Sequence, residues 1–385
     1  MIELNGIAWD HPRGYEPLIA ASKEYEKHHR YVTIKWDVRS LKEFGDMPIE
    51  HLIERYDLIT IDHPYVGQAD KNGLLLKLET QLSEDEIRNL EVHTLKGCFG
   101  VYRYNQHLYA LPIDAAALVA VYRKDKIKET GLSLPKDRDE LKNFYSRIPT
   151  GYSVAWALSP TDIWCTFLSL CSQNAGSGFI KDCQIDEKIG ANVLDELKYH
   201  IEFCHPNSLN WNPIQILDRM GADEEIIYSP YLFGYSNYSR SGYTKYLLHF
   251  TNSPIGSQKN ISTILGGVGL AVSSLCKNPV DAVSFTKYVA SAEIQKGIFT
   301  RNGGQPANKL AWQNMENNQL SNNFFCDTIS TIEKAYIRPQ HPGWNKFQEQ
   351  GANLIHEGLL KCMGSKLIMS TLNELYQSNK YDEKV

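Results

Sequence analysis

Tyr56-Asp57-Leu58-Ile59-Thr60-Ile61-Asp62-His63-Pro64 is the stretch from which the architecture can be read. Its first six residues have the β-branched and apolar character of a buried strand. Asp62-His63-Pro64 then stops it, because proline has no N–H with which to continue a ladder. The same ending occurs near the start, where Leu4 to Trp9 runs into Asp10-His11-Pro12-Arg13-Gly14. Between the two lie a helical stretch from Pro17 to His29, with Leu18, Ala21 and Tyr25 on one face, and a β-branched strand from Tyr31 to Trp36. A shorter helical segment, Ile49 to Arg55, leads into the third strand. Strand, helix, strand, helix, strand implies parallel neighbours, which need crossover connections. Both Asp-His pairs then stand just beyond the carboxyl ends of parallel strands, where open α/β sheets hold their ligands.

The remaining chain continues the α/β pattern. Hairpin character around Asn105-Gln106 precedes Leu111-Pro112-Ile113-Asp114, and Leu118 to Tyr122 reads as a strand. Helical spacing returns over Pro135 to Ile148 and over Leu194 to Phe203. A tyrosine-dense stretch runs from Tyr228 to Tyr246, a glycine-flanked strand from Leu265 to Val272, and an amphipathic helix from Pro279 to Ala290. The tail from Phe324 to Tyr376 is mostly helical, with a break at Arg338 to Gly343. No low-complexity linker is found, so the domains are expected to be joined by short strand-like crossings.

Composition narrows the function classes. At ~150 residues per domain, a chain of 385 residues holds two to three domains. A formal charge of -5 has the wrong sign for a protein that coats phosphate backbones, so no nucleic-acid partner is expected. No run approaches the ~20 apolar residues of a membrane span, so no direct membrane insertion is expected either. The eight cysteines are scattered without a C-x-x-C pair, which argues for buried thiols and against a zinc ribbon or a redox dithiol. Met1 to Asp10 lacks the basic and apolar regions of a signal peptide. As written the chain reads as cytoplasmic; it reads as periplasmic or cell-surface if a signal segment has been removed.

Four stretches together resemble the extracellular solute-binding proteins, family 1, of ABC importers. Tyr104-Asn105-Gln106-His107-Leu108-Tyr109-Ala110-Leu111-Pro112-Ile113-Asp114-Ala115 is similar to the family's crossing into its second lobe, followed by Tyr122 to Asp125. Leu265 to Val272 resembles its return strand, Asn278 to Glu293 its following helix, and Gly303-Gly304-Gln305-Pro306-Ala307 its "GGxPA" turn. The resemblance implies a two-lobe periplasmic-binding-protein-like α/β fold of type II. Each lobe would be a mostly parallel sheet flanked by helices, with a ligand cleft between lobes that close by a hinge motion. The implied lobes are 1–112 plus 265–312, and 113–264 plus 313–385, with crossings near 112, 257–264 and 311–316.

On this reading the ligand-binding residues are Asp10, His11, Arg13, Asp62, His63, Asp114, Trp156, Tyr235, Asn237, Tyr238, Gly266, Gly267 and Trp344. The aromatic residues would stack on a ring-shaped solute, and Trp344 matches the family position of a sugar-stacking ring. The polar groups would orient the solute, while Gly266 and Gly267 would let the backbone approach it. The expected ligand is a small polar solute, hydroxyl-rich or cationic, and the expected protein partner is an ABC transporter permease. No cofactor and no metal are expected, since two Asp-His pairs hold a metal only if all four side chains converge. The alternatives are a ligand sensor, or an enzyme on the same scaffold with His11 and His63 as acid-base groups and Asp62 as orienting carboxylate.

Overall fold

The computed structural model describes residues 1–46, 48–223 and 225–381; the final residues of the expected second lobe, 382–385, lie outside the described residues. Besides two short two-stranded hairpins, the strands among the described residues are β1 (Ile2–Trp9), β2 (Val32–Arg39), β3 (Leu58–Ile61), β4 (Ala110–Tyr122), β5 (Ser153–Val154), β6 (Ile226–Phe233), β7 (His249–Thr251) and β8 (Leu265–Val272). The first two are followed by helices α1 (Pro12–His28) and α2 (Leu41–Asp46). The chain divides into two compact units. The first comprises 1–116, 266–326 and 338–342, the second 117–265, 327–337 and 343–385.

These bounds differ from the expected ones at four places: 113–116 fall in the first unit and 265 in the second, and at 313–326 and 338–342 contacts inside the first unit explain the difference. Residues 313–326 stay with it because Asn317 and Asn318 donate to the Ala311 and Trp312 carbonyls (3.0 and 2.7 Å) and Phe325 packs edge-on to Trp312 at 5.1 Å. Residues 338–342 join it through Arg338, bound to Asp62, and through Gln340, which donates to the His63 and Val101 carbonyls.

In the first unit β1 lies between parallel partners, β2 in the register Ile2↔Val32 to Trp9↔Arg39 and β3 at Gly6↔Leu58 and Ile7↔Ile59. β8 returns antiparallel to β3, with Gly269 opposite Ile61. The start of β4 follows β8 in the strand order. In the second unit the end of β4 pairs antiparallel with both β6 and β7, and only β5 and β6 are parallel. The sheets are mixed, with parallel pairing around β1 in the first unit and mainly antiparallel pairing in the second: antiparallel neighbours impose no crossover on the path, and the returning strands use that freedom.

Local chemistry accounts for the element ends. α1 begins with Pro12 at its first position, and the His11 side chain accepts the Arg13 N–H, satisfying one of the donors a helix leaves open. The helix expected over Ile49 to Arg55 is only a 3-10 turn at Ile49–His51, too short to propagate. In the second unit Trp156, Trp164, Phe167, Tyr231, Trp344, Phe347 and Tyr376 share one buried cluster. Helix α3 (Pro160–Ala175) runs through it, and α4 (Trp344–Leu360) and α5 (Ser365–Tyr381) pack on it. Among the described residues no helix is long and apolar enough to cross a membrane.

Candidate functional site

Where β1, β2 and β3 of the first unit end, the chain turns under a set of buried polar side chains. Asp10 follows β1; its N–H donates to the Arg39 carbonyl (2.7 Å) and its side chain is exposed. His11 is buried, with Nδ1 accepting the Arg13 N–H at 3.0 Å. Burial, then the neighbouring Arg13 cation, lowers its pKa to about 3. The ring is therefore neutral, and its one lone pair is spent on capping, which removes it as a general base. Arg13 turns inward to Asp114 on β4, donating from Nε at 2.8 Å and from Nη2 at 2.5 Å. Both partners are almost wholly buried. Burial pushes the Asp114 pKa up and Arg13 works against it.

The end of β3 has the same construction. Asp62 caps the turn that follows by accepting the His63 N–H at 2.8 Å, and Arg338 Nη2 donates to both its oxygens at 2.6 and 2.8 Å. Burial would raise the Asp62 pKa; Arg338 and His63 outweigh it and hold the carboxyl below the ordinary carboxylate range. His63 Nδ1 lies 3.2 Å from Asp62 Oδ1, and Nε2, also buried, has no hydrogen-bond partner. Burial and Arg338 lower the His63 pKa, so this ring too is neutral. With Nδ1–H turned to Asp62, Nε2 is a fixed lone pair.

The two glycines divide in role. Gly267 has φ of 122°, and a Cβ there would sit 2.4 Å from the Asp114 carbonyl oxygen, so its smallness serves the fit of β8 against β4. Gly266 is buried within β8.

The other expected ligand residues belong to the second unit. Trp156 is fully buried, stacked on His200 at 4.7 Å, with Nε1 donating to the Tyr145 hydroxyl at 3.2 Å. Trp344 is fully buried between Trp164, Phe347 and Tyr376, at 5.5 to 6.0 Å. Both rings are spent on the core, and the expectation that they present a stacking face is corrected here. Tyr235, Asn237 and Tyr238 are buried around the 3-10 turn Ser236–Ser239; the Tyr238 hydroxyl donates to Asp218 at 2.6 Å, and Asn237 Oδ1 is buried without a hydrogen-bond partner.

The structure thus brings Asp10, His11, Arg13, Asp62, His63, Asp114 and Gly267 together within the first unit. Sequence reasoning missed Arg338, Arg39 and Tyr102. The Tyr102 phenol is buried and pushed well up, first by burial, then by Asp62, with Asp114 among the further causes. A cavity of about 510 Å³ elsewhere on the first unit, walled by Tyr25, His29 and Tyr288 among others, contains none of the predicted residues. Among the described residues no three His, Cys, Asp or Glu side chains are grouped to hold a metal ion.

This architecture is that of the two-lobe solute-binding proteins. The maltose-bound MalE3 of T. maritima superposes with a TM-score of 0.85 over 98% of this chain and 99% of that one, at 15% identity. A mannitol-bound solute-binding protein from Agrobacterium vitis gives 0.81 over 100% and 99%, at 13% identity. In sequence, residues 9–194 match the model of the bacterial extracellular solute-binding proteins. The multiple sugar-binding protein of Streptococcus mutans is 24% identical over 223 residues, covering 54% of this chain and 53% of that protein. The maltotriose-binding protein of Pyrococcus abyssi is 25% identical over 130 residues, 33% of this chain and 26% of that one. The chain thus spans between about a quarter and about half the length of these two curated relatives.

Proposed function

We propose that the protein binds a small hydroxyl-rich solute as the substrate-binding component of an ABC-type importer. The observation that carries this reading is the His63 imidazole: fully buried, oriented by Asp62, and left with one unspent acceptor beyond a strand end. A solute hydroxyl donating to Nε2 removes the cost of that unmade hydrogen bond. Asp10 and the backbone near Gly266, both in the first unit, supply further polar contacts. The relatives named above are a maltotriose-binding and a multiple sugar-binding protein and two proteins holding maltose and mannitol, which supports a ligand of that class. A cation is disfavoured, because Asp62 and Asp114 are already bound to guanidinium groups.

Thermal unfolding in the presence of maltose, maltotriose, ribitol, mannitol and tagatose tests the reading. A ligand at 100 times its Kd stabilises the folded state by about 2.7 kcal/mol, which raises Tm by several degrees. His63→Ala should abolish the shift while retaining the fold. A panel broadened to other polyols and sugars that moves Tm for none of them would defeat the proposal.

A further inference from the structure

The buried charges at the strand ends of the first unit do not balance. Arg13 is neutralised by Asp114 and Arg338 by Asp62, but a third guanidinium belongs to Arg39, the last residue of β2. Arg39 stands in register with Trp9, its carbonyl accepts the Asp10 N–H, and its Nη2 donates at 2.7 Å to the carbonyl of Thr60, two residues before Asp62. The residue is 5% exposed, and Nε and Nη1 are buried with no hydrogen-bond partner. No carboxylate of a described residue pairs with it. Glu43 on α2 acts on it through space without forming an ion pair, and spends a carboxylate oxygen on the Ser40 N–H at 2.8 Å. The Phe44 ring lies over the guanidinium at 5.2 Å and packs on Trp9 at 5.4 Å.

With His11 and His63 neutral, the buried set holds three guanidiniums against two carboxylates. Burial lowers the Arg39 pKa to about 10, so the group is still charged at neutral pH. An unpaired buried cation is costly, and its N–H groups are unmade hydrogen bonds of the charged kind. An arriving anion offsets both costs at once.

We propose that Arg39 receives an anionic group of the solute, so that the ligand is an acidic sugar or polyol, a uronate or a phosphorylated sugar. This rests on the solute-binding reading above and narrows its ligand class. The anion reaches Nε and Nη1 by displacing the half-buried Phe44 ring.

Isothermal titration calorimetry of the full chain with D-glucuronate, glucose 6-phosphate and maltose decides it. At least one of the two acids should bind, more weakly as salt rises, and which one binds separates carboxylate from phosphate. Arg39→Gln should weaken that acid by about thirtyfold, the loss of a charge-assisted contact, while changing maltose affinity by less than about threefold. Should Arg39→Gln not fold, Phe44→Ala carries the test: uncovering the guanidinium should tighten the acid and leave maltose unchanged. Maltose bound with neither acid bound overturns the inference and leaves the solute-binding reading standing. Acids bound equally by wild type and Arg39→Gln, or unaffected by Phe44→Ala where that variant carries the test, also overturn it. No binding by any of the three, together with no thermal shift from the neutral panel, overturns both.

Discussion

The two units bury the two residue classes expected at the ligand site, and they do so differently. In the second unit the aromatic residues make an interior: Phe347 stacks on Tyr376 at 4.0 Å, Trp344 packs on both, and the Trp156 indole N–H is already satisfied by Tyr145. In the first unit the buried set is ionic, two carboxylates each gripped by its own arginine, with neutral histidines beside them. The contrast separates what each set of side chains still has to offer. The Trp156 ring, stacked on His200 and hydrogen-bonded to Tyr145, has face and polar edge occupied, whereas the pinned Asp62 orients a neighbour with unspent acceptor capacity, His63 Nε2.

Truncating each kind of residue separates the two roles. Trp344→Ala should cost about 4 kcal/mol in urea unfolding, the range for emptying a large buried ring site. A variant of normal stability and lost ligand binding would return Trp344 to the ligand site and erase the contrast. Asp114→Ala should cost about 3 kcal/mol, because it strands a buried guanidinium. Exchanging both partners, as Arg13→Met with Asp114→Leu, should recover most of that loss, since two apolar groups leave no charge behind. A double variant no better than Asp114→Ala would show that the pair is not what the single change disrupts.

Legibility followed period and range. β8 and the helix Pro279–Ala290 were readable because their patterns are strong over eight and twelve residues. The start of β4 was not: Pro112 within Ala110–Tyr122 argues against a strand, and here the proline is accommodated with its carbonyl accepting from Gln295. The Asp-His pairs were readable as chemistry at strand ends. The ion pairs packed beside them were not, because Arg13 meets Asp114 across 101 positions and Arg338 meets Asp62 across 276, distances over which spacing carries no signal. Trp156 and Trp344 were legible as large rings, but whether a ring faces a ligand or a core is decided by packing partners far along the chain.

A smaller effect probes the neutral histidines. Above pH 6.5 His11 is uncharged both folded and unfolded. As pH falls the unfolded chain takes the proton while the folded ring, with its pKa at about 3, refuses it. Stability therefore drops on acidification, approaching ~1.4 kcal/mol per pH unit and amounting to ~1.6 kcal/mol between pH 6.5 and 5 from this residue alone. His63 acts in the same direction. His11→Asn keeps a side-chain acceptor at the helix cap and removes the titration. Its loss of stability over that interval should be shallower than that of the wild type, and an equally steep loss would assign the acid sensitivity to other groups.

The smallest effect concerns the backbone on which the ionic set rests. Gly267 has a positive φ that side-chain-bearing residues rarely adopt, and a Cβ there meets the Asp114 carbonyl oxygen at 2.4 Å and the Ala115 Cα at 3.0 Å. Both obstacles are main chain of β4, so neither turns aside as a side-chain tip would. Gly267→Ala must therefore either strain its own backbone or shift the strand that carries Asp114, at a cost of about 1.5 kcal/mol. Because the shift moves Asp114 relative to Arg13, the variant should be additive with Trp344→Ala in the other unit and non-additive with Asp114→Ala. Additivity with both would mean that Gly267 serves only local fit. Normal stability with abolished solute binding would mean instead that the bare backbone is there to let a ligand approach.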